Sequence, residues 1–182
     1  MLEELGLEFE HRPFEHDDPR LKSAQFLEQN PAGAIPTLID DGIVVAESMA
    51  INEYLASTYS RATGIAPAGN AEEIEARRWA LWAQGHLEPW VSYDPLPPAV
   101  AESLDTHRNE ILSKPLALLN RVTGGRQWLL GSRFTVADLN VAACLSPSRA
   151  SRIHWESWPS ARDWLDRCYA RDAATIVRQR WS

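Results

Sequence analysis

The chain has 182 residues, of which 45% are hydrophobic and 24% charged, and its formal net charge is -7. That length allows one large domain or two small ones, and the acidic balance argues against a nucleic acid or an anionic membrane as the main partner. No apolar run could span a bilayer, the acidic start is unlike a signal peptide, and the cysteines Cys144 and Cys168 form no framework, so we expect a cytoplasmic protein.

The first sixty residues mix short apolar runs with turn signals, which predicts strands and helices in alternation. The alternating segment Glu8–Phe14 predicts an edge strand, and Leu21–Gln29 predicts a short helix that ends at Asn30. Asp41-Gly42 between two apolar runs predicts a β-hairpin, with strands over 35–39 and 43–45. A helix is expected to begin near Glu47-Ser48, because apolar residues then recur at helical spacing.

The segment 61–70 has no periodicity and contains helix breakers, so we predict a linker there. All that follows, residues 71–182, has the pattern of an all-helical domain. The predicted helices are Ala71–Trp90, Val100–Arg121 with a kink at Pro115, one that begins at Thr135 and one after Pro159, and a short tail follows Arg171.

One series of motifs is more specific than its parts. Asn30-Pro31-Ala32-Gly33-Ala34-Ile35-Pro36-Thr37-Leu38 is followed by Asp41-Gly42, then by Glu47-Ser48-Met49-Ala50-Ile51, and finally by the pair Tyr54-Leu55. Each fragment alone has an ordinary structural explanation. In this order and spacing the series resembles the cytosolic glutathione transferases, and the resemblance extends to about residue 171. It implies an α+β fold, with a partial thioredoxin-like unit over 1–60 that lacks its first strand, followed by the helical domain.

The resemblance also implies a glutathione site at four residues. Pro36 is expected in the cis form, which leaves the backbone of Ile35 free to pair with the peptide part of glutathione like an added strand. Ser48, at a helix start, is expected to hold the carboxylate of the γ-glutamyl group, and Glu47 its ammonium. The alternative for Ser48 is that it merely caps its own helix.

The helical half carries an aromatic stripe composed of Trp79, Trp82, His86 and Trp90. In the family the corresponding helix borders the cleft for the electrophile, so His86, Trp90 and the nearby Tyr93 are candidate cleft residues. The alternative for most of the stripe is packing between helices. His86 has no partner at metal-ligand spacing, so we predict no metal site.

Thr135 and Asp138 have the spacing of a capping box, in which the two residues at a helix start bond each other's backbone. A buried acid in this family could suggest catalysis. We instead expect both residues to be structural, because the flanking Phe134 and Leu139 complete the hydrophobic staple that accompanies such a box.

Family members have a strand, a loop and a complete first helix before the segment at which this sequence begins. That loop supplies the Tyr, Ser or Cys that activates the thiol, whereas here no such residue precedes Ser23. Three explanations are open: a misassigned start codon, a late-starting paralogue without the chemistry, or another chain that supplies the strand. We favour the first, and we expect the chain as written to have little conjugating activity.

The function expected from the resemblance is conjugation of glutathione, as co-substrate, to a small hydrophobic electrophile, or a related thiol transfer. Such an enzyme would act in detoxification and form a homodimer. The alternative is a non-catalytic binding or scaffold protein that keeps the transferase fold.

Overall fold

A computed structural model of the chain describes residues 1–15, 17–60, 63–91 and 98–181, with the side chains at 98–104, 106 and 181 left out. The chain divides into two compact units, Met1–Ala66 and Pro67–Ser182.

The first unit is a β-hairpin with short helices. Its elements are α1 (Leu2–Leu5), α2 (Ala24–Gln29), β1 (Thr37–Asp40), β2 (Ile43–Ala46) and α3 (Ser48–Tyr59). The strands are antiparallel, and Asp41 and Gly42 join them with φ angles of 46° and 85°. Two successive residues at positive φ match the right-handed twist of the strands, which confirms the predicted Asp-Gly hairpin.

Helix α3 is attached to the hairpin by hydrogen bonds as well as by packing. The hydroxyls of Tyr54 and Tyr59 both donate to Oδ2 of Asp40, at 2.8 and 2.6 Å. Within α3, Leu55 and Ala56 are buried. The hairpin and the helix that follows it therefore form one packed body.

The predicted strand at Glu8–Phe14 is wrong. Residues 8–14 have no regular secondary structure, and within the described residues the sheet consists of β1 and β2 alone. Phe14 instead packs on Phe26 of α2, with the ring centroids 5.7 Å apart. Alternation of apolar and polar residues is not sufficient for a strand, because a strand also needs a neighbour with which to share backbone hydrogen bonds.

The second unit is helical throughout its described part. Its helices are α4 (Asn70–His86), α5 (Glu88–Val91), α6 (Pro98–Gly124), α7 (Val136–Cys144), α8 (Pro159–Tyr169) and α9 (Asp172–Trp181). Helix α4 packs on α7 and α6 packs on α8, around fully buried side chains that include Trp79, Leu116 and Trp164. Among the described residues no helix combines the length and the apolar character needed to cross a bilayer.

Three helix predictions need adjustment. The helix expected over 71–90 ends at His86, and the short α5 follows it. The helix expected over 100–121 is longer at both ends and continues through Pro115. The tail after Arg171 is itself helical.

Candidate functional site

The two halves of the predicted glutathione site meet at the open end of the hairpin. Thr37, the first residue of β1, is paired with Ala46, the last residue of β2. Opposed Cα atoms in an antiparallel pair are about 4.5–5.5 Å apart. Pro36 directly precedes Thr37 and Glu47 directly follows Ala46, so residues eleven positions apart in sequence flank the same end of the sheet.

Ile35 presents an unpaired backbone at this end. The Ile35–Pro36 bond is cis, as the sequence predicts. Ile35 is 42% exposed, and within the described part of the chain its N–H and C=O have no hydrogen-bond partner. An extended peptide could therefore pair with Ile35 by backbone hydrogen bonds.

Helix α3 begins at the same place without a side-chain cap. Glu47 is the N-cap residue and Ser48 the first helical residue, and no side chain of the described residues caps the helix start. The first intrahelical bond runs from the Ile51 N–H to the Glu47 C=O, at 2.9 Å. The N–H groups of the first turn are thus left for an external acceptor, which favours an anion. This geometry does not support Ser48 as merely a cap of its own helix.

Glu47 has a backbone conformation that the sequence does not predict. Its φ of 70° lies in the left-handed region, which few residues other than glycine adopt. Such a conformation costs on the order of 1–3 kcal/mol and is found most often where function requires it. The strain at Glu47 sets the direction in which β2 leads into α3, and it has no counterpart in local sequence signals.

Comparison with known families identifies both parts of the chain. A sequence model described as the N-terminal domain of glutathione S-transferase matches residues 1–57, and one for the C-terminal domain matches residues 79–172. The chain belongs to the glutathione S-transferase family. Glutathione S-transferase 3 of Zea mays is 32% identical to it over 177 residues, which cover 87% of this chain and 79% of the maize protein.

Solved glutathione transferases share the fold. The transferase URE2P6 of Phanerochaete chrysosporium, solved with oxidized glutathione, has a TM-score of 0.81 at 24% identity and covers 98% of this chain and 87% of its own. BphK, a bacterial glutathione S-transferase solved as a ternary complex, has a TM-score of 0.79 at 29% identity, and the match covers 96% of this chain and 88% of BphK. The expected fold, a thioredoxin-like unit followed by a helical domain, is confirmed.

Lys22 is a cation beside the glutathione S-transferase motif that no sequence signal indicates. The ammonium of Lys22 donates to the Gly33 C=O at 3.2 Å, two residues before Ile35. Gly33 has a φ of 58°, and a Cβ there would lie 2.9 Å from Lys22 Nζ and 3.0 Å from the Leu21 C=O. Glycine at position 33 therefore permits both the turn and the approach of Lys22. The spacing of eleven residues carries no pattern that would have indicated this contact.

The aromatic stripe divides into core and surface. Trp79 is buried and meets Trp82 edge-on, with ring centroids 5.0 Å apart. Trp82 is half-buried, and the exposed His86 lies 6.4 Å from it. Trp90 belongs to α5, and its ring meets that of His107 of α6 edge-on, with the ring centroids 6.1 Å apart. The interpretation as packing between helices therefore holds for Trp79. The candidate cleft residue Tyr93 lies outside the described residues.

Thr135 and Asp138 form the capping box that their spacing predicts. The Oδ2 of Asp138 accepts from the Thr135 N–H and hydroxyl at 3.0 and 3.2 Å. Its Oδ1 accepts from the Leu129 N–H at 2.8 Å and from Trp164 Nε1 at 2.9 Å. Burial raises the pKa of Asp138, although these hydrogen bonds act in the opposite direction. The carboxylate joins three segments and has no exposed surface to offer a substrate.

Neither cysteine is placed to react. Cys144 and Cys168 are both buried. Burial, with a smaller contribution from Glu88, raises the pKa of the Cys144 thiol to about 12. In the part of the chain that the structure describes, no three His, Cys, Asp or Glu side chains are gathered as metal ligands.

Proposed function

We propose that this chain binds glutathione at Ile35, Pro36, Glu47 and Ser48 and transfers it to a small hydrophobic electrophile. One observation carries the proposal: an unpaired, exposed backbone at Ile35 lies at the same hairpin end as the uncapped start of α3. A peptide that has a carboxylate at one end satisfies both features at once.

Each part of glutathione has a group to meet it. The γ-glutamyl carboxylate would accept from the first turn of α3 and from the Ser48 hydroxyl, while Glu47 would pair with the γ-glutamyl ammonium. The cysteinyl residue would exchange backbone hydrogen bonds with Ile35. The glycyl carboxylate, at the other end, would lie on the side of Lys22.

The reaction needs the thiolate of glutathione. A free thiol ionises with a pKa of about 8.5, so the anion is a minor species at neutral pH. The sulfur of the bound thiolate attacks the electrophilic carbon, a carbon–sulfur bond forms, and the leaving group departs with the bonding electrons. His86 and Trp90 of the helical unit, with Tyr93, stay the candidate cleft residues for a hydrophobic electrophile.

A second function, glutathione binding without catalysis, is favoured by the state of the described phenols and thiols. Tyr54 and Tyr59 are both engaged with Asp40. The Tyr169 hydroxyl donates to the Ala142 C=O, and both cysteines are buried. None of these groups is available to stabilise a thiolate at the hairpin end.

Calorimetric titration and a turnover assay test both functions. Glutathione should bind, whereas the dipeptide Cys-Gly, which lacks the γ-glutamyl group, should bind much more weakly. Equal affinity for the two would remove the role assigned to Glu47 and Ser48. If glutathione binds but conjugation of a generic aromatic electrophile does not exceed the uncatalysed rate, the binding function is correct and the transferase function is not.

We also expect a cytoplasmic homodimer with a role in detoxification, as the family resemblance implies. Sedimentation velocity of the purified chain tests the assembly, and a single monomeric species would contradict it.

A further inference from the structure

Asn30 is buried in a segment whose neighbours are exposed. Only 4% of its surface is accessible, while Pro31, Ala32 and Ala34 all face solvent. A buried carboxamide needs hydrogen-bond partners for both its oxygen and its nitrogen. Asparagine is a poor choice for a core position, so its burial here calls for a polar role.

The carboxamide of Asn30 bonds the chain on both sides of Ile35–Pro36. Its Nδ2 donates to the Ala34 C=O at 2.8 Å and to the Thr37 hydroxyl at 3.0 Å. Its Oδ1 accepts from the Ala32 N–H at 3.1 Å. The Thr37 hydroxyl in turn donates to the Ala34 C=O at 3.1 Å, so these groups form a closed network.

The backbone of Asn30 anchors that network to the rest of the unit. Asn30 is the C-cap residue of α2: its N–H donates to the Phe26 C=O at 2.8 Å, and its C=O accepts from the Gly33 N–H at 2.9 Å. One residue thus connects α2, the loop 31–34 and the first residue of β1. Ile35 lies inside this frame but makes no hydrogen bond to it among the described residues.

We propose that Asn30 is the positioning residue of the glutathione site: its side chain holds Ala34 and Thr37 so that the Ile35 backbone stays free and fixed for the peptide ligand. The inference rests on the proposed function and deepens it. An asparagine is suited to this task because it supplies two donors and an acceptor from one short, planar group. Neither aspartate nor alanine can donate to the Ala34 C=O at neutral pH.

The test is calorimetric titration of glutathione into the wild-type chain and into Asn30→Ala. The expected result is a dissociation constant about tenfold higher, the equivalent of roughly 1.4 kcal/mol, at unchanged stoichiometry. A purely structural role would instead lower the fraction of folded protein, which reduces the stoichiometry and leaves the dissociation constant unchanged.

Asn109 offers a matched control in the helical unit. Its Nδ2 donates to the Asp105 and Arg152 C=O groups, and its Oδ1 accepts from the His154 N–H, so it also makes three side-chain bonds. Asn109→Ala should bind glutathione with the wild-type dissociation constant. If Asn30→Ala does not fold, Asn30→Asp replaces it, because aspartate keeps the size and the bond from the Ala32 N–H but loses the donor to Ala34.

The outcomes separate the two proposals. If the wild-type chain binds glutathione and a folded Asn30 variant binds it with the same dissociation constant, the role of Asn30 is overturned but the proposed function is not. An equal loss in Asn109→Ala would also overturn it, because the effect would then not be local. Absence of binding by the wild-type chain would overturn the proposed function and, with it, the role of Asn30.

Discussion

Replacement of Asp138 by alanine should be among the most destabilising single changes in the helical unit. The substitution leaves three fixed donors without an acceptor: the N–H groups of Leu129 and Thr135 and the Trp164 indole. All three residues are fully buried. Each unsatisfied donor costs about 1–3 kcal/mol, and relaxation of the site recovers part of the sum, so we expect a loss of roughly 3–5 kcal/mol.

Two further variants at this network should lose less free energy of unfolding than Asp138→Ala does. In Asp138→Asn one oxygen can still accept from Leu129 and Trp164, but the amide nitrogen then faces the Thr135 N–H, so about half of the loss is expected. Thr135→Ala removes only the cap hydroxyl and should cost about 1 kcal/mol. Glutathione binding by the folded fraction should not change in any of the three.

Urea denaturation followed by tryptophan fluorescence measures these free energies of unfolding. Asp166→Ala is the control, because the Asp166 carboxylate pairs with Arg162 at 3.0 Å on the surface of α8 and such pairs contribute about 0–1 kcal/mol. The reasoning would be refuted if Asp138→Ala lost no more free energy of unfolding than Asp166→Ala while the denaturant slope stayed unchanged. Loss of turnover at unchanged stability would show instead that Asp138 belongs to the chemistry.

Four other predictions concern both units. Ser48→Ala should weaken glutathione binding by about 1.5–3 kcal/mol, since it removes a hydrogen bond to a charged carboxylate, and calorimetry against the wild type decides it. Gly33→Ala should lower the melting temperature, because alanine is strained at a φ of 58° and its Cβ would lie 3.0 Å from the backbone Leu21 C=O; an unchanged midpoint in calorimetric scanning would contradict this strain. Cys144, whose pKa burial raises to about 12, should resist alkylation at pH 8 in the folded protein and react only on unfolding, as mass spectrometry would record. The hydrogen bond to Asp40 raises the pKa of Tyr59 from 10.0 to about 12, so its contribution to stability is present below pH 10 and is lost as the pH rises toward 12; in Asp40→Asn the phenolate absorbance should appear at lower pH.

Local signals in the sequence predict several elements correctly because the physical cause is itself local. Asp41-Gly42 can adopt two successive positive φ values, so the hairpin follows from two residues. Thr135 and Asp138 satisfy each other's backbone across one helical turn, so their structural role also follows from spacing. The motif from Asn30 to Leu55 identifies the family before any coordinates are known.

Other features depend on contacts between residues that are distant in sequence, so they become visible only in the folded chain. Glu8–Phe14 has the pattern of a strand, but the pattern cannot state whether a neighbouring strand is present. Trp79 and Trp90 look alike in one aromatic stripe, yet the first is core and the second lies on a separate helix beside His107.

The same division runs through the candidate site. Its residue types are readable from the sequence, whereas the strained φ of Glu47, the approach of Lys22 to Gly33 and the network around Asn30 are not. The reason is physical: propensities and caps act within a few residues, but hydrogen bonds that position a loop depend on how the whole unit folds. The chemistry that the hairpin end can offer follows from residue types, whereas the side chains that hold that end in place are known only from the folded unit.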